Sequence, residues 1–108
     1  MSFDYQKFTY HLREAKEKAL EVVTGDNGGS ANLDRLAISL PRLKEEKVIE
    51  SIKKAGLWTS GRRNWIGKRY FISAPHGSQG NDNTKQIEAM RDYLKEKGYD
   101  VLIYYQMD

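Results

Sequence analysis

Apolar residues recur along this chain with two different periods. Phe8, Leu12, Ala15, Ala19 and Val22 follow one another at steps of four, three, four and three. That spacing forms one stripe of a helix. Lys7, Arg13, Glu14, Lys16, Glu17 and Lys18 fill its other faces, with Glu14 and Lys18 as a favourable i,i+4 pair. Ser2 or Asp4 can cap its start. Leu33, Leu36, Ala37 and Leu40 repeat the helical spacing and predict a short second helix over Asn32–Leu40. Pro41 bounds it and can open a third helix, running to Ala55. Val48, Ile49, Ile52 and Ala55 give that helix an apolar stripe, and Gly56 stops it.

Beyond Gly56 the period shortens. Leu57–Thr59 reads as extended, Ser60–Asn64 as a turn and Trp65–Ala74 as a strand rich in aromatic and β-branched residues. Alternation puts Ile66, Lys68, Tyr70 and Ile72 on one face of that strand and Trp65, Arg69, Phe71 and Ser73 on the other. Ile87, Met90 and Leu94 mark a fourth helix, capped by Asn83 or Thr84 and ending near Lys97. The run Val101–Tyr105 closes the chain as a strand within Asp100–Gln106, and its unbroken apolar character predicts a central place in the sheet. Gly25–Ser30 and Pro75–Asn83 read as loops. The expected fold is α+β: three N-terminal helices, a β-hairpin, then a helix and a final strand, in a single domain over residues 1–108.

Charge changes this picture more than composition does. Nine of the eighteen Lys and Arg residues lie between Pro41 and Tyr70, against three acids, Glu45, Glu46 and Glu50, so that this stretch carries an excess of six positive charges while the whole chain has +3. Concentrated cations point to an anionic partner, and nucleic acid is the commonest large one. With no cysteine, disulfides, thiolate metal sites and a Cys nucleophile are excluded. No apolar run approaches the roughly 20 residues of a membrane span, and Met1–Tyr10 lacks the pattern of a signal peptide. The expectation is a small, basic, cytoplasmic protein without a membrane partner.

The run Asp34-Arg35-Leu36-Ala37, then Val48 through Leu57, then Gly61-Arg62-Arg63 and Arg69-Tyr70-Phe71-Ile72, resembles a winged helix-turn-helix. The resemblance covers roughly 40 residues of the centre. It implies a winged-helix-like, DNA-binding centre in which the helix from Arg42 to Ala55 enters the major groove. Lys44, Lys47 and Ser51 would then face the groove, while the Arg62-Arg63 turn touches the adjacent backbone or minor groove. A lesser similarity is to the small HicA-type RNA-cleaving toxins. Where those carry their essential histidine, this chain has Gly67-Lys68-Arg69, so no catalytic role carries over.

Read from the residues themselves, Arg62, Arg63, Lys68 and Arg69 are candidates for phosphate contact, with Trp65 stacking on a base. An alternative site is the loop His76, Gly77, Ser78, Gln79, Gly80 before the last helix. There free N–H groups can hold a nucleotide or another phosphorylated ligand, although the loop matches neither the P-loop nor the dinucleotide pattern. A third alternative is a small inhibitor whose basic strip binds a host protein. His11 reads as a surface or boundary residue. No acid pair, nucleophile or metal-ligand spacing argues for an enzyme or a cofactor. The expectation is a non-enzymatic nucleic-acid-binding protein using a basic helix and hairpin.

Overall fold

The computed structural model describes residues 3–25, 28, 32–77 and 80–106. Ser2, most of the 26–31 stretch, Ser78 and Gln79 lie outside the described residues, so the Ser2 cap and that half of the alternative loop site do too. Three helices and four strands alternate: α1 (Tyr5–Glu21), β1 (Arg35–Ser39), α2 (Glu45–Lys54), β2 (Thr59–Asn64), β3 (Lys68–Ile72), α3 (Gly80–Glu96) and β4 (Asp100–Tyr104). The strands form one sheet in the order β2-β3-β1-β4, and every neighbouring pair is antiparallel. From β1 onward the connectivity and strand order are those of the split β-α-β, or ferredoxin-like, arrangement. The α+β class is as expected, but the element order is not.

The main correction is the segment expected as a second helix. Arg35–Ser39 is a strand. Leu36 and Ile38 face the core with Leu40 just beyond them, a period-two set hidden inside the helical spacing of Leu33, Leu36, Ala37 and Leu40. Two strands compete for this segment: Leu36 pairs with Ile72 on one side and Ile103 on the other. Pairing on both edges saturates its backbone, which a short helix cannot match. The Leu36-Ala37 pair of the winged-helix resemblance therefore lies on a central strand.

The hairpin is also displaced. Ser60–Asn64, expected as the turn, belongs to β2, with a bulge between Thr59 and Gly61. The reversal falls at Trp65-Ile66-Gly67, where Ile66 and Gly67 have φ of 49° and 84°. Two consecutive positive φ values are what a primed hairpin turn requires. The closing strand β4 is an edge strand, not a central one. Its apolar run reflects burial on one face and partial burial on the other. Val101 and Ile103 point into the core, while Leu102 and Tyr104 are half-buried on the other side.

All three helices lie on one face of the sheet. α3 packs on β1 and β4, α2 packs on β2, and α1 packs against both α2 and α3. Ala15 and Ala19 on α1 are fully buried and let the helices approach closely. Phe8, Leu12, Leu36, Ile38, Ile52, Ile72, Ile87, Met90 and Leu94 form the centre of the core, each fully buried. Burial of such a side chain contributes about 1.5–3 kcal/mol. Asp4 caps α1 by accepting from the Lys7 amide at 3.0 Å. Asn83 and Thr84 are not caps, because α3 starts at Gly80. Their side chains reach to Asn32 and Asp34 beside β1. Asp82 lies buried in the first turn of α3 and accepts from the Thr24 amide and hydroxyl and the Gly25 amide, at 2.7 to 3.2 Å. Burial alone would raise its pKa, but these hydrogen bonds outweigh burial and hold the carboxyl below its ordinary value.

Candidate nucleic-acid interface

With the helices on one side, the opposite face of the sheet carries no helix among the described residues. Alternation sends Arg35, Ala37, Arg63, Arg69, Phe71, Leu102 and Tyr104 to that face, since each is paired or in register with another of them. Three aromatic rings gather there. Trp65 stands edge-on to Tyr104 with ring centroids 5.0 Å apart and an interplanar angle of 84°. Phe71 lies 5.3 Å from Tyr104 and 6.1 Å from Trp65. Phe71 is buried beneath its half-buried neighbours, so it supports them while their outer surfaces meet solvent.

Around the rings opens a concavity of about 280 Å³ lined by Arg35, Arg63, Asn64, Trp65, Phe71, Tyr104 and Gln106. Two arginines, Asn64 and Gln106 thus surround three aromatics. Arg35 donates weakly to the Ser60 hydroxyl at 3.4 Å. Among the described residues neither Arg35 nor Arg63 is paired with a carboxylate. Such a surface offers positive charge, planar apolar surface and hydrogen-bonding edges together.

The other cations expected to share this surface lie elsewhere. Arg62 sits opposite Tyr70, on the helix-covered side, and pairs with Glu45 of α2 at 3.4 Å. Lys54 pairs with Glu50 at 2.9 Å. Lys68 is exposed opposite Asn64. Arg69 is 5% exposed and lies across the sheet. Its Nε donates to the Ile66 carbonyl at 3.0 Å, and its terminal nitrogens donate to the carbonyls of Ala37 and Asp100 and to the Asp100 carboxylate at 3.2–3.3 Å. Arg69 is thus a clamp between β3, β1 and β4, not a surface cation as expected from the sequence. Lys44 is exposed just before α2.

Lys47 and Ser51 line a different groove, about 520 Å³, between α1 and α2, together with Tyr5, Gln6, Thr9, Arg13, Glu50 and Lys54. The hydroxyls of Thr9 and Ser51 there donate to carbonyls of their own helices, Tyr5 and Lys47. Lys47 Nζ lies 5.7 Å from the centre of the Tyr5 ring. The mid-chain cations therefore divide between the two sides of the sheet and do not form one patch.

In the alternative loop site, His76 is exposed, and its amide and carbonyl are both held by the buried Gln86 side chain, at 2.9 and 3.2 Å. The Gly80 carbonyl accepts from Asn32. Among the described residues no cluster of three or more metal-ligating side chains occurs, and no helix is long and apolar enough to cross a membrane.

Sequence reasoning placed Trp65 and Phe71 on one face but missed Arg35, Tyr104 and Gln106. Nothing local ties those three to the hairpin, because β1 and β4 come together only in the sheet. Compared with family models, with curated proteins and with solved structures, the chain matches none.

Proposed function

We propose that this protein binds single-stranded nucleic acid on the helix-free face of its sheet. The observation that carries this reading is the cluster of Trp65, Phe71 and Tyr104 flanked by Arg35 and Arg63, which pair with no carboxylate among the described residues. Unpaired bases expose flat faces that stack on aromatic rings, at about 1–3 kcal/mol per base. Four-stranded sheets with aromatics on an open face are a recurrent platform for RNA bases. A duplex hides those base faces, so the aromatic surface favours single strands. Arg35 and Arg63 neutralise phosphates, and the side-chain amide of Gln106 supplies donors and an acceptor for base edges. Fold topology alone does not assign this role; the side chains on the open face support it.

The test is a fluorescence-anisotropy titration of labelled RNA and DNA oligonucleotides, single-stranded and duplex, over a range of salt. Binding should prefer single strands, and log K should fall with log salt by roughly 0.7 per phosphate contacted. Equal or better binding to duplex, or affinity indifferent to salt, overturns the reading.

A further inference from the structure

Ile66 combines three properties that rarely coincide. It is a β-branched residue with φ of 49°, in the left-handed region where such side chains are genuine outliers. It is 66% exposed, so no burial in this chain offsets that conformation. It is also held rigidly, because the buried Arg69 donates its Nε to the Ile66 carbonyl and the Trp65 amide bonds the Gly67 carbonyl at 2.7 Å. A glycine or asparagine would satisfy the same turn with less strain. Backbone strain combined with a fixed, solvent-facing apolar side chain motivates a functional role.

The neighbours indicate which role. Trp65 precedes Ile66 and belongs to the aromatic cluster. Lys68 lies two residues beyond it, exposed, and Arg63 lies across the hairpin. An apolar tip between cations and beside a stacking ring matches what is needed to enter a base step. Apolar wedges, isoleucine among them, separate stacked bases in this way.

We infer that the hairpin apex is a wedge: Ile66 inserts between two adjacent bases of the bound strand, while Trp65 stacks on one of them. This rests on the proposed function and adds to it that the strand is unstacked at one step. The cost of unstacking is offset by removing the Ile66 side chain from water and by stacking on Trp65.

The test uses the full chain and single-stranded oligonucleotides carrying 2-aminopurine, whose fluorescence rises on unstacking. The wild-type protein should raise that fluorescence. Ile66→Gly should abolish the rise and weaken binding about tenfold, while melting at the same temperature or higher, because glycine relieves the backbone. If Ile66→Gly binds as tightly and gives the same rise, the wedge is wrong while the proposed function stands. If its melting temperature falls, Ile66 serves the fold and the wedge is equally wrong. If the wild-type protein binds no single strand, both readings fail. A parallel sedimentation with anionic lipid vesicles guards the assignment. Vesicle binding that depends on Ile66, without a fluorescence change on oligonucleotides, would assign the apex to lipid and overturn the wedge.

Discussion

Tyr99 holds its hydroxyl 2.8 Å from Nδ1 of His11, joining the residue before β4 to the middle of α1. Burial pushes the Tyr99 pKa up to about 12, so the phenol keeps its proton and donates. A neutral His11 can accept that proton at Nδ1. Its pKa is lowered by burial and by the charges of Lys7 and Lys97. Expected at the surface or its boundary, His11 is 9% exposed, and the fold disfavours its charged form.

The direction of the pH effect follows. With the folded pKa below the unfolded value of about 6.5, the unfolded chain binds the extra proton first. The stabilisation is complete above about pH 6.5 and is lost as pH falls toward the folded pKa. Urea unfolding at a series of pH values between about 7 and 5 should show declining stability in the wild type. The paired variant His11→Phe with Tyr99→Phe should flatten that decline. An unchanged slope would count against the assignment.

Asp82 acts in a more acidic range. Its folded pKa is depressed, so its contribution is present above the ordinary carboxylate range and lost as pH falls through the folded value. Asp82→Asn should lower the melting temperature at neutral pH, by loosening Thr24 and Gly25 from the start of α3. The gap from the wild type should close toward pH 3. A gap independent of pH would show that geometry rather than charge holds this corner.

Arg69→Met should destabilise the protein by about 2–4 kcal/mol in chemical denaturation, since it strips carbonyls of the hairpin turn, β1 and β4 of one shared donor. A cost below about 0.5 kcal/mol would mean that water replaces the guanidinium freely. Here a residue first assigned to phosphate contact becomes a stability determinant.

The two arginines of β2 should behave differently toward nucleic acid. Arg63→Ala should weaken binding to all single strands and reduce the salt slope by roughly 0.7. Arg62→Ala, on the other side of the sheet and paired with Glu45, should leave the slope unchanged. Trp65→Ala should cost about 1–3 kcal/mol of binding. Equal effects of the two arginine variants in anisotropy titrations would place the strand elsewhere.

How much of this was legible in the sequence varied with the range of the interactions. α1, α2 and α3 announced themselves because their apolar stripes and stops are local. The segment Leu33–Leu40 fits a helical and an alternating pattern at once, and only pairing with Ile72 and Ile103 decides between them. Gly61 has the look of a turn residue but sits at a bulge, whereas the true apex carries an isoleucine that no turn preference would select. An arginine buried between strands leaves no local signature, so Arg69 read as a surface cation. Trp65 and Phe71 were placed on one face by alternation alone. Their completion by Arg35 and Tyr104 depends on strands far apart in the chain.

That central strand, paired on both sides with later segments, also dictates the timing of assembly. Leu36 gains neither neighbour until β3 and β4 have been synthesised. The early part of the chain therefore leaves the ribosome with this strand uncovered. Sheet formation must then wait on partners distant along the chain, which slows folding relative to local contacts.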